Sequence, residues 1–126
     1  MATSMRRANR KLTGGRYNSS DRSKRKKELN RFPANTKIAE TVKSKSIRAC
    51  GGNLKHKLLA GNSVNVVDKK GKSKKTIITT VVENAANPHL VRRNILTKGA
   101  IVETKLGKAK ISNRPGQEGC INATLI

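Results

Sequence analysis

Aromatic residues are almost absent from the sequence, which contains one Tyr, one Phe and no Trp among its 126 residues. RNA-recognition and OB-type modules bind single strands by stacking bases on several aromatic side chains. Tyr17 and Phe32 alone do not supply such a surface. If a nucleic acid is the partner of this chain, we expect contacts to phosphate and 2′-hydroxyl groups to dominate.

Cysteine and histidine are equally sparse. Cys50 and Cys120 lie 70 positions apart without a C-x-x-C partner, and His56 and His89 are isolated as well. A zinc site would need all four residues to converge. We therefore interpret the cysteines as small buried thiols and the histidines as surface imidazoles, and we predict neither a metal site nor a disulfide framework.

Long apolar runs and catalytic motifs are also missing. The longest apolar runs, such as Ile77-Ile78 and Val81-Val82, are far too short to span a membrane, and no apolar segment follows the basic N-terminus as in a secretory signal. The chain contains no glycine-rich nucleotide-binding motif, and its few carboxylates are scattered. We expect a cytoplasmic protein that binds no membrane, uses no cofactor, takes no small-molecule substrate and is not an enzyme.

Acidic residues are few, since 7 Asp and Glu stand against 29 Lys and Arg, and the formal net charge is +22. Repulsion within so cationic a chain destabilises its compact state, which indicates that a polyanion neutralises the charge. The charge is densest from Ser23 to Lys57, where only Glu28 and Glu40 oppose eleven basic residues. Nucleic acid is therefore the expected class of partner.

Residues 1–37 read as a basic arm. Residues 1–31 contain eleven Lys or Arg and two acids, with almost no apolar residue at regular spacing. Such a segment cannot bury enough apolar surface to fold alone. We expect it to become ordered on RNA, and the alternative is a solvated tail. A helical turn could form at Arg25 to Leu29 against a partner, although it would have no hydrophobic face.

Residues 38–126 read as an all-β domain, because short runs of β-branched residues alternate there with turn residues. So many short strands favour a small, closed or nearly closed β-barrel of antiparallel strands, since closure removes exposed sheet edges. The predicted strands are 42–50, 54–60, 63–68, 75–84, 89–97, 100–105, 107–112 and 119–125.

Three connections between these strands carry turn signals. The first hairpin should join 75–84 to 89–97 across residues 85–88, where Asn87 and Pro88 supply the turn chemistry. A second should turn at 105–107, and residues 68–71 should form an exposed loop. The apolar residues at 77, 78, 81 and 82 indicate a strand that is buried on both faces or crosses the barrel interior.

Three further short segments contain residues that favour particular backbone conformations or offer hydrogen-bonding groups. Gly51-Gly52-Asn53 can place glycines at positive φ and bring the main chain close to a phosphate, or it can be an ordinary tight turn. Asn35-Thr36-Lys37 offers an amide, a hydroxyl and a cation to an RNA backbone, or it caps the first strand. Residues 114–117 fit a type II turn, from which Arg114 could reach RNA.

Several short motifs of this sequence follow one another in the same order as in a known protein family. They are TGGR at 13–16, KRKKEL at 24–29, PANTKI at 33–38, GGN at 51–53, the stretch 82–104 ending in NILTKGAIVET, and RPGQ at 114–117. In this order they resemble the eight-e family of archaeal and eukaryotic small-subunit ribosomal proteins. Eukaryotic members of that family carry a long, charged insertion between the last two of these motifs. Here only ten residues, 105–114, connect Thr104 to Pro115, so the chain is similar to the shorter archaeal form. Cys50 stands where the family usually has an arginine.

The resemblance implies a small β-barrel with a long basic extension and a structural role in the small ribosomal subunit. Its expected partners are small-subunit rRNA and neighbouring ribosomal proteins, with no homo-oligomer. From the residues alone, a free-standing RNA chaperone or a histone-like nucleic-acid-binding protein remains the alternative. The rRNA-binding residues that we predict are Arg6, Arg7, Arg10, Lys11, Arg16, Arg22, Lys24, Arg25, Lys26, Lys27, Arg31, Asn35, Thr36, Lys37, Arg48, Gly51, Gly52, Asn53, Lys55, Lys57 and Arg114.

Overall fold

The computed structural model describes residues 8–18, 23 and 25–126. Its internal contacts divide the chain into two compact units, Met1–Pro33 and Ala34–Ile126. The division falls four residues before the predicted boundary at 37/38. The assignment of two functional domains, an arm and a barrel, stays a prediction.

The unit Ala34–Ile126 is built from seven strands and very little helix, so the predicted all-β class is confirmed. A short α-helix, α1 (Pro115–Glu118), precedes the last strand, and 3-10 turns occupy Cys50–Gly52 and Pro88–Leu90. The strands are β1 (Lys43–Arg48), β2 (Leu54–Ala60), β3 (Ser63–Val67), β4 (Ser73–Glu83), β5 (Ile101–Thr104), β6 (Gly107–Ile111) and β7 (Asn122–Leu125).

Strands β3 to β7 form a closed barrel, and β1 and β2 form a separate two-stranded sheet. The predicted barrel is confirmed. Neighbouring strands are antiparallel except at the closure, where β3 and β7 run parallel with Asn65 opposite Asn122. The long strand β4 pairs with β3 through its first half and with β5 through its second half. The single strand β4 therefore connects β3 to β5 within the barrel.

The core fills the barrel interior with side chains from every strand of the barrel. Val64, Val66, Val102, Ala109 and Ile111 are each at most 1% exposed. Neighbours of these residues along the same strands, such as Asn65, Lys108 and Lys110, point outward and are exposed. This alternation follows from the period of two along a strand.

The expectation that β4 is buried on both faces was wrong. Ile78 and Val81 are 2% and 6% exposed, but Ile77 and Val82 are 44% and 45% exposed. The pairing register of β4 shifts between Ile78 and Thr80, and such a bulge displaces the alternation of side chains by one position. Two inward residues three positions apart are the result, and their neighbours face outward.

The predicted hairpin between 75–84 and 89–97 was also wrong. Residues 88–90 form a 3-10 turn, residues 91–94 continue as turns, and β4 pairs with β5 instead. Pro88 occupies the first turn of this helix, and the Asn87 side chain accepts a 3.0 Å hydrogen bond from the His89 N–H. Asparagine before proline therefore starts a helical turn here, rather than reversing the chain between strands.

The type II turn predicted at 114–117 is a single turn of helix. The Arg114 carbonyl accepts hydrogen bonds from the N–H groups of Gln117 and Glu118, at 2.9 and 3.2 Å. The left-handed residue of this segment is Gly119 at φ 73°, and Gly116 does not have positive φ. The two other predicted turns, at 105–107 and at 68–71, are confirmed.

The described part of the unit Met1–Pro33 contains two local structures. Arg10 and Arg16 form an antiparallel bridge around a tight turn, in which Gly14 has φ 83° and donates its N–H to the Lys11 carbonyl. Lys26–Glu28 form a 3-10 helix within the segment where a helical turn was considered possible. The Glu28 carboxylate accepts a hydrogen bond from the Arg25 N–H and so caps this turn.

Candidate nucleic-acid interface

The β1–β2 hairpin carries most of the predicted contacts of the barrel unit. The outer edge of β2 is fixed at two points, where His56 bridges to Glu118 and Ala60 bridges to Lys37. The turn end is closed by a 2.7 Å hydrogen bond from the Ala49 N–H to the Asn53 carbonyl. The hairpin is thus held in place although few of its side chains are buried.

One face of the hairpin is cationic. Lys45 lies directly opposite Lys57, and Ile47 lies directly opposite Lys55. Directly opposed side chains have Cβ atoms roughly 4.5–5.5 Å apart, and like charges on such opposed residues are destabilising. Residues 43–60 contain no Asp or Glu to offset the repulsion. An anion bound over this face, between the two lysine side chains, would offset the repulsion.

The other face is polar and partly anchored in the core. Ser46 Oγ and His56 Nδ1 share a 2.9 Å hydrogen bond across the strands. Leu58, on the same face, is 4% exposed and belongs to the barrel core. The hairpin therefore has one face partly bound to the barrel and one face open to a partner.

The turn of the hairpin has the predicted backbone shape. Gly51 and Gly52 have φ of 71° and 80°. The Asn53 side-chain amide donates a 3.2 Å hydrogen bond to the Cys50 carbonyl, so Asn53 stabilises the turn itself. A Cβ atom on Gly52 would lie 3.9 Å from Nη2 of Arg48, which places the guanidinium beside the glycines. Whether this turn approaches a phosphate stays a prediction.

Asn35, Thr36 and Lys37 lie at the base of the hairpin, where they have unequal roles. Asn35 is exposed with φ 45°, and the Lys37 side chain is exposed. The Thr36 side chain is 1% exposed, and its hydroxyl donates a 2.6 Å hydrogen bond to the Leu58 carbonyl. We therefore leave Thr36 out of the surface proposed below.

Arg114 is exposed at the start of α1, which packs against β2. The structure therefore brings Arg114 to the element that carries Lys55 and Lys57. The predicted residues of the barrel unit lie around one hairpin, although they come from three separate stretches of sequence.

The basic residues of the arm are described only in part. The exposed ones are Arg10, Lys11, Arg16, Arg25, Lys26 and Arg31. Arg10 donates to the Gly14 carbonyl at 2.9 Å, and the Lys11 ammonium lies 5.6 Å from the centre of the Tyr17 ring. Four predicted contacts, Arg6, Arg7, Arg22 and Lys24, lie outside the described residues, as does the side chain of Lys27.

Sequence reasoning left Lys45 out of the predicted contacts, although it lies opposite Lys57. It also left out the exposed Arg92 and Arg93, which it placed in a strand. They follow the 3-10 turn at Pro88–Leu90. The next residue, Asn94, has φ 49° and accepts a hydrogen bond from the Ile38 N–H, so this turn runs beside residues 36–38. The Asn87-Pro88 pair was the signal for a helical turn.

In the described part of the chain, no group of three or more His, Cys, Asp and Glu side chains is placed to hold a metal ion. Both cysteines are free and exposed, so the expectation of buried thiols was wrong. Cys50 lies in the hairpin turn, where no core covers it. Within the same described residues, no helix is long and apolar enough to cross a membrane.

Comparison with known proteins places this architecture in a family. A family model described as ribosomal protein S8e matches residues 4–126. A protein of Methanocorpusculum labreanum is 56% identical over 118 residues, which cover 93% of this chain and 93% of the relative. A protein of Methanococcus aeolicus is 52% identical over 118 residues, covering 93% and 91%. One of Methanobrevibacter smithii is 50% identical over 117 residues, covering 92% and 93%.

All three relatives bear the name small ribosomal subunit protein eS8. The matches extend over nearly the whole chain, well beyond the short blocks that carried the resemblance. The chain belongs to the ribosomal protein S8e family.

Proposed function

We propose that this protein is a structural constituent of the small ribosomal subunit that binds and stabilises folded rRNA and has no catalytic role. The observation that carries the proposal is the cross-strand pair Lys45 and Lys57, in a hairpin without acidic residues. A free protein gains nothing from two lysines facing each other. A phosphate between them would turn the repulsion into attraction.

The family supports the ribosomal setting of this proposal. The relatives are small-subunit ribosomal proteins by name, and rRNA is the polyanion of that particle. The protein would therefore act in the ribosome, in the cytoplasm, as a single copy beside neighbouring ribosomal proteins. Its function in translation is to hold an RNA fold in place.

The proposed contacts divide into a barrel part and an arm part. Residues 38–126 would place the barrel against folded rRNA, and residues 1–37 would run between RNA helices and neutralise phosphates there. Lysine and arginine contacts of this kind position a protein without reading base sequence. The barrel part comprises the side chains of Asn35, Lys37, Lys45, Arg48, Lys55, Lys57 and Arg114, and the backbone at Gly51, Gly52 and Asn53.

The hairpin is tested by removing its opposed charges. We expect Lys45→Gln/Lys57→Gln to flatten the dependence of log Kd on log salt for small-subunit rRNA, by roughly 0.7 to 0.9 for each phosphate that is no longer neutralised. The matched control is Lys98→Gln/Lys105→Gln, which removes two exposed charges that are not part of the hairpin. Equal slopes for the two variants would contradict the proposed role of the hairpin.

The arm is tested by deletion of residues 1–31. Removal of several of its eleven cations should flatten the salt dependence further, while the barrel unit stays folded. An unchanged slope would mean that the arm is a solvated tail.

A ribosomal constituent differs from a free-standing RNA chaperone in that it binds one particular RNA site in one particle. We expect the protein to remain with intact small subunits through a high-salt wash and to prefer its rRNA fragment over RNA of equal length and random sequence. A chaperone or a histone-like protein would be washed off and would bind both RNAs equally.

A further inference from the structure

The connection between β3 and β4, together with the first three residues of β4, forms a second cationic cluster, which the proposed hairpin surface does not include. Residues 68–75 contain one acid, Asp68, and five lysines. All five lysines are exposed, at positions 69, 70, 72, 74 and 75. We call this segment the lysine loop.

The lysine loop has a defined shape. The Asp68 N–H donates to the Lys72 carbonyl at 2.9 Å, and the Gly71 N–H donates to the Asp68 carbonyl at 2.9 Å. Gly71 adopts φ 78°, which allows this tight reversal. The half-buried Asp68 carboxylate lies 3.8 Å from the Lys74 ammonium, at the base of the loop. The single acid thus faces a strand residue, and the tip presents Lys69 and Lys70.

The loop and the hairpin lie at opposite ends of β3. The chain leaves β2 at Ala60 and enters β3 at Ser63, and the lysine loop begins after Val67. A strand of this length spans roughly 16 Å. The base of the hairpin and the lysine loop are therefore separated by the length of β3.

The neighbouring strands extend the positive surface beside the lysine loop. Val67, the last residue of β3, pairs with Thr124 of β7, and Thr124 pairs with Lys110 of β6. The Lys110 side chain points outward, because Ala109 and Ile111 on either side are buried. Two strand spacings place the backbone of Lys110 about 10 Å from that of Val67.

We propose that the lysine loop, with Lys110, is a second RNA-binding surface, and that the barrel joins two separate segments of the rRNA backbone, one at the hairpin and one at the loop. The inference rests on the proposed function and extends it. Lysine suits this role, because its ammonium group is a compact charge that binds phosphate without demanding one base sequence. Residues 68–75 contain no apolar residue that would anchor a protein partner.

The first test compares three charge-removal variants of the full chain in binding to small-subunit rRNA. They are the loop variant Lys69→Gln/Lys70→Gln, the hairpin variant Lys45→Gln/Lys57→Gln and the control Lys98→Gln/Lys105→Gln. We expect the loop variant to lower the slope of log Kd against log salt by roughly 0.7 to 0.9 for each phosphate that it no longer neutralises, and the control to keep the slope of the parent. Circular dichroism melting would verify that each variant is folded.

The outcomes separate this inference from the proposed function. If the hairpin variant has a reduced slope and the loop variant behaves as the control does, the second surface is wrong and the proposed function stands. If both behave as the control does, rRNA binding by the barrel unit is wrong and the inference fails with it.

The second test locates the two RNA segments by tethered cleavage. One protein carries an iron chelate on its native Cys50 in the hairpin turn, with Cys120→Ser. The other carries it at the loop tip, in Cys50→Ser/Cys120→Ser/Lys70→Cys. We expect hydroxyl radicals from the two positions to cut the rRNA at two separate sets of nucleotides. Cleavage of the same nucleotides from both positions, or none from position 70, would overturn the proposal.

Discussion

Gly116 in α1 approaches Ala34 so closely that a Cβ atom on residue 116 would lie 2.9 Å from the Ala34 Cβ. Side chains do not tolerate such a separation without displacement. The contact fixes the start of the barrel unit against α1, and the same turn of helix bridges through Glu118 to His56 of β2. The absence of a Cβ atom at Gly116 therefore allows the close contact that helps to position the base of the hairpin.

We expect Gly116→Ala to lower the free energy of unfolding by roughly 1–3 kcal/mol, the usual cost of overpacking. The double variant Ala34→Gly/Gly116→Ala moves the methyl group to the other side of the contact and should recover most of the stability. Gly61→Ala is the control, since its Cβ would meet its nearest neighbours at 3.7 Å, an ordinary contact. Chemical denaturation measures all three. A Gly116→Ala protein as stable as the parent would show that this approach does not constrain the fold.

Thr36 provides a second prediction, because its hydroxyl is buried against the Leu58 carbonyl. Thr36→Val keeps the shape and removes the hydrogen bond, and we expect a decrease of roughly 1–2 kcal/mol in unfolding free energy. Thr80→Val is the matched control, since the Thr80 hydroxyl makes only an exposed 3.4 Å contact with Glu103. Its effect should stay within about 0.5 kcal/mol.

The Thr36 variant also tests the role of that residue in binding. Well below its melting temperature, Thr36→Val should bind small-subunit rRNA as the parent does. A reduced affinity of the folded variant would show that the hydroxyl does contact RNA.

The sequence predicted the parts of the fold that depend on local chemistry. Gly51 and Gly52 were expected at positive φ because few other residues adopt it, and both do. The turns at 68–71 and 105–107 could be predicted because each contains a glycine, and runs of β-branched residues indicated the strands of the barrel. These signals depend on a few neighbouring residues, so no knowledge of the tertiary structure was needed.

The errors concern partners that are distant in sequence. Asn94 and Ile95 were read as part of a strand next to β4, but they pair with residues 36–38. The bulge in β4, the parallel closure of β3 with β7 and the acceptor of the Thr36 hydroxyl likewise depend on tertiary contacts that periodicity does not report. The predicted set of RNA-binding residues therefore included one buried threonine and omitted Lys45, which the strand pairing places opposite Lys57.

A third prediction concerns the cost of the opposed lysines in the free protein. We expect Lys45→Gln to raise the melting temperature at low salt by roughly 1 to 4 °C, because it removes the repulsion from Lys57. The gain should fade at high salt, where exposed charges are screened. The same variant should bind small-subunit rRNA more weakly. Lys98→Gln is the control and should change neither property. A variant that is neither more stable nor weaker in binding would show that the pair is not kept for an anion.

The last prediction contrasts the glycine turn with the core. Gly52 has φ 80° beside the Arg48 guanidinium, so Gly52→Val should cost on the order of 1–3 kcal/mol in local strain and also fill the space beside the turn. Because the turn lies outside the barrel, we expect most of the fold to survive and RNA binding to fall. Val81 is 6% exposed in the core, where the carboxylate of Val81→Asp would be buried without a partner at a cost of several kcal/mol. That variant should unfold, and it should fail to bind RNA only as a consequence.

Circular dichroism melting and filter binding to small-subunit rRNA, with both variants and the parent in one buffer, distinguish the two effects. Gly52→Val should keep a cooperative melt, with a midpoint lowered by roughly 4 to 8 °C for each kcal/mol of strain, and require more protein for half-saturation of the RNA. Val81→Asp should show no cooperative melt at all. If Gly52→Val instead melts as Val81→Asp does, or binds RNA as the parent does, then residues 51–53 serve only to turn the chain. The proposed phosphate contact would in that case lie on the strand lysines alone, because Lys45, Lys55 and Lys57 share one face of the hairpin whatever the shape of the turn.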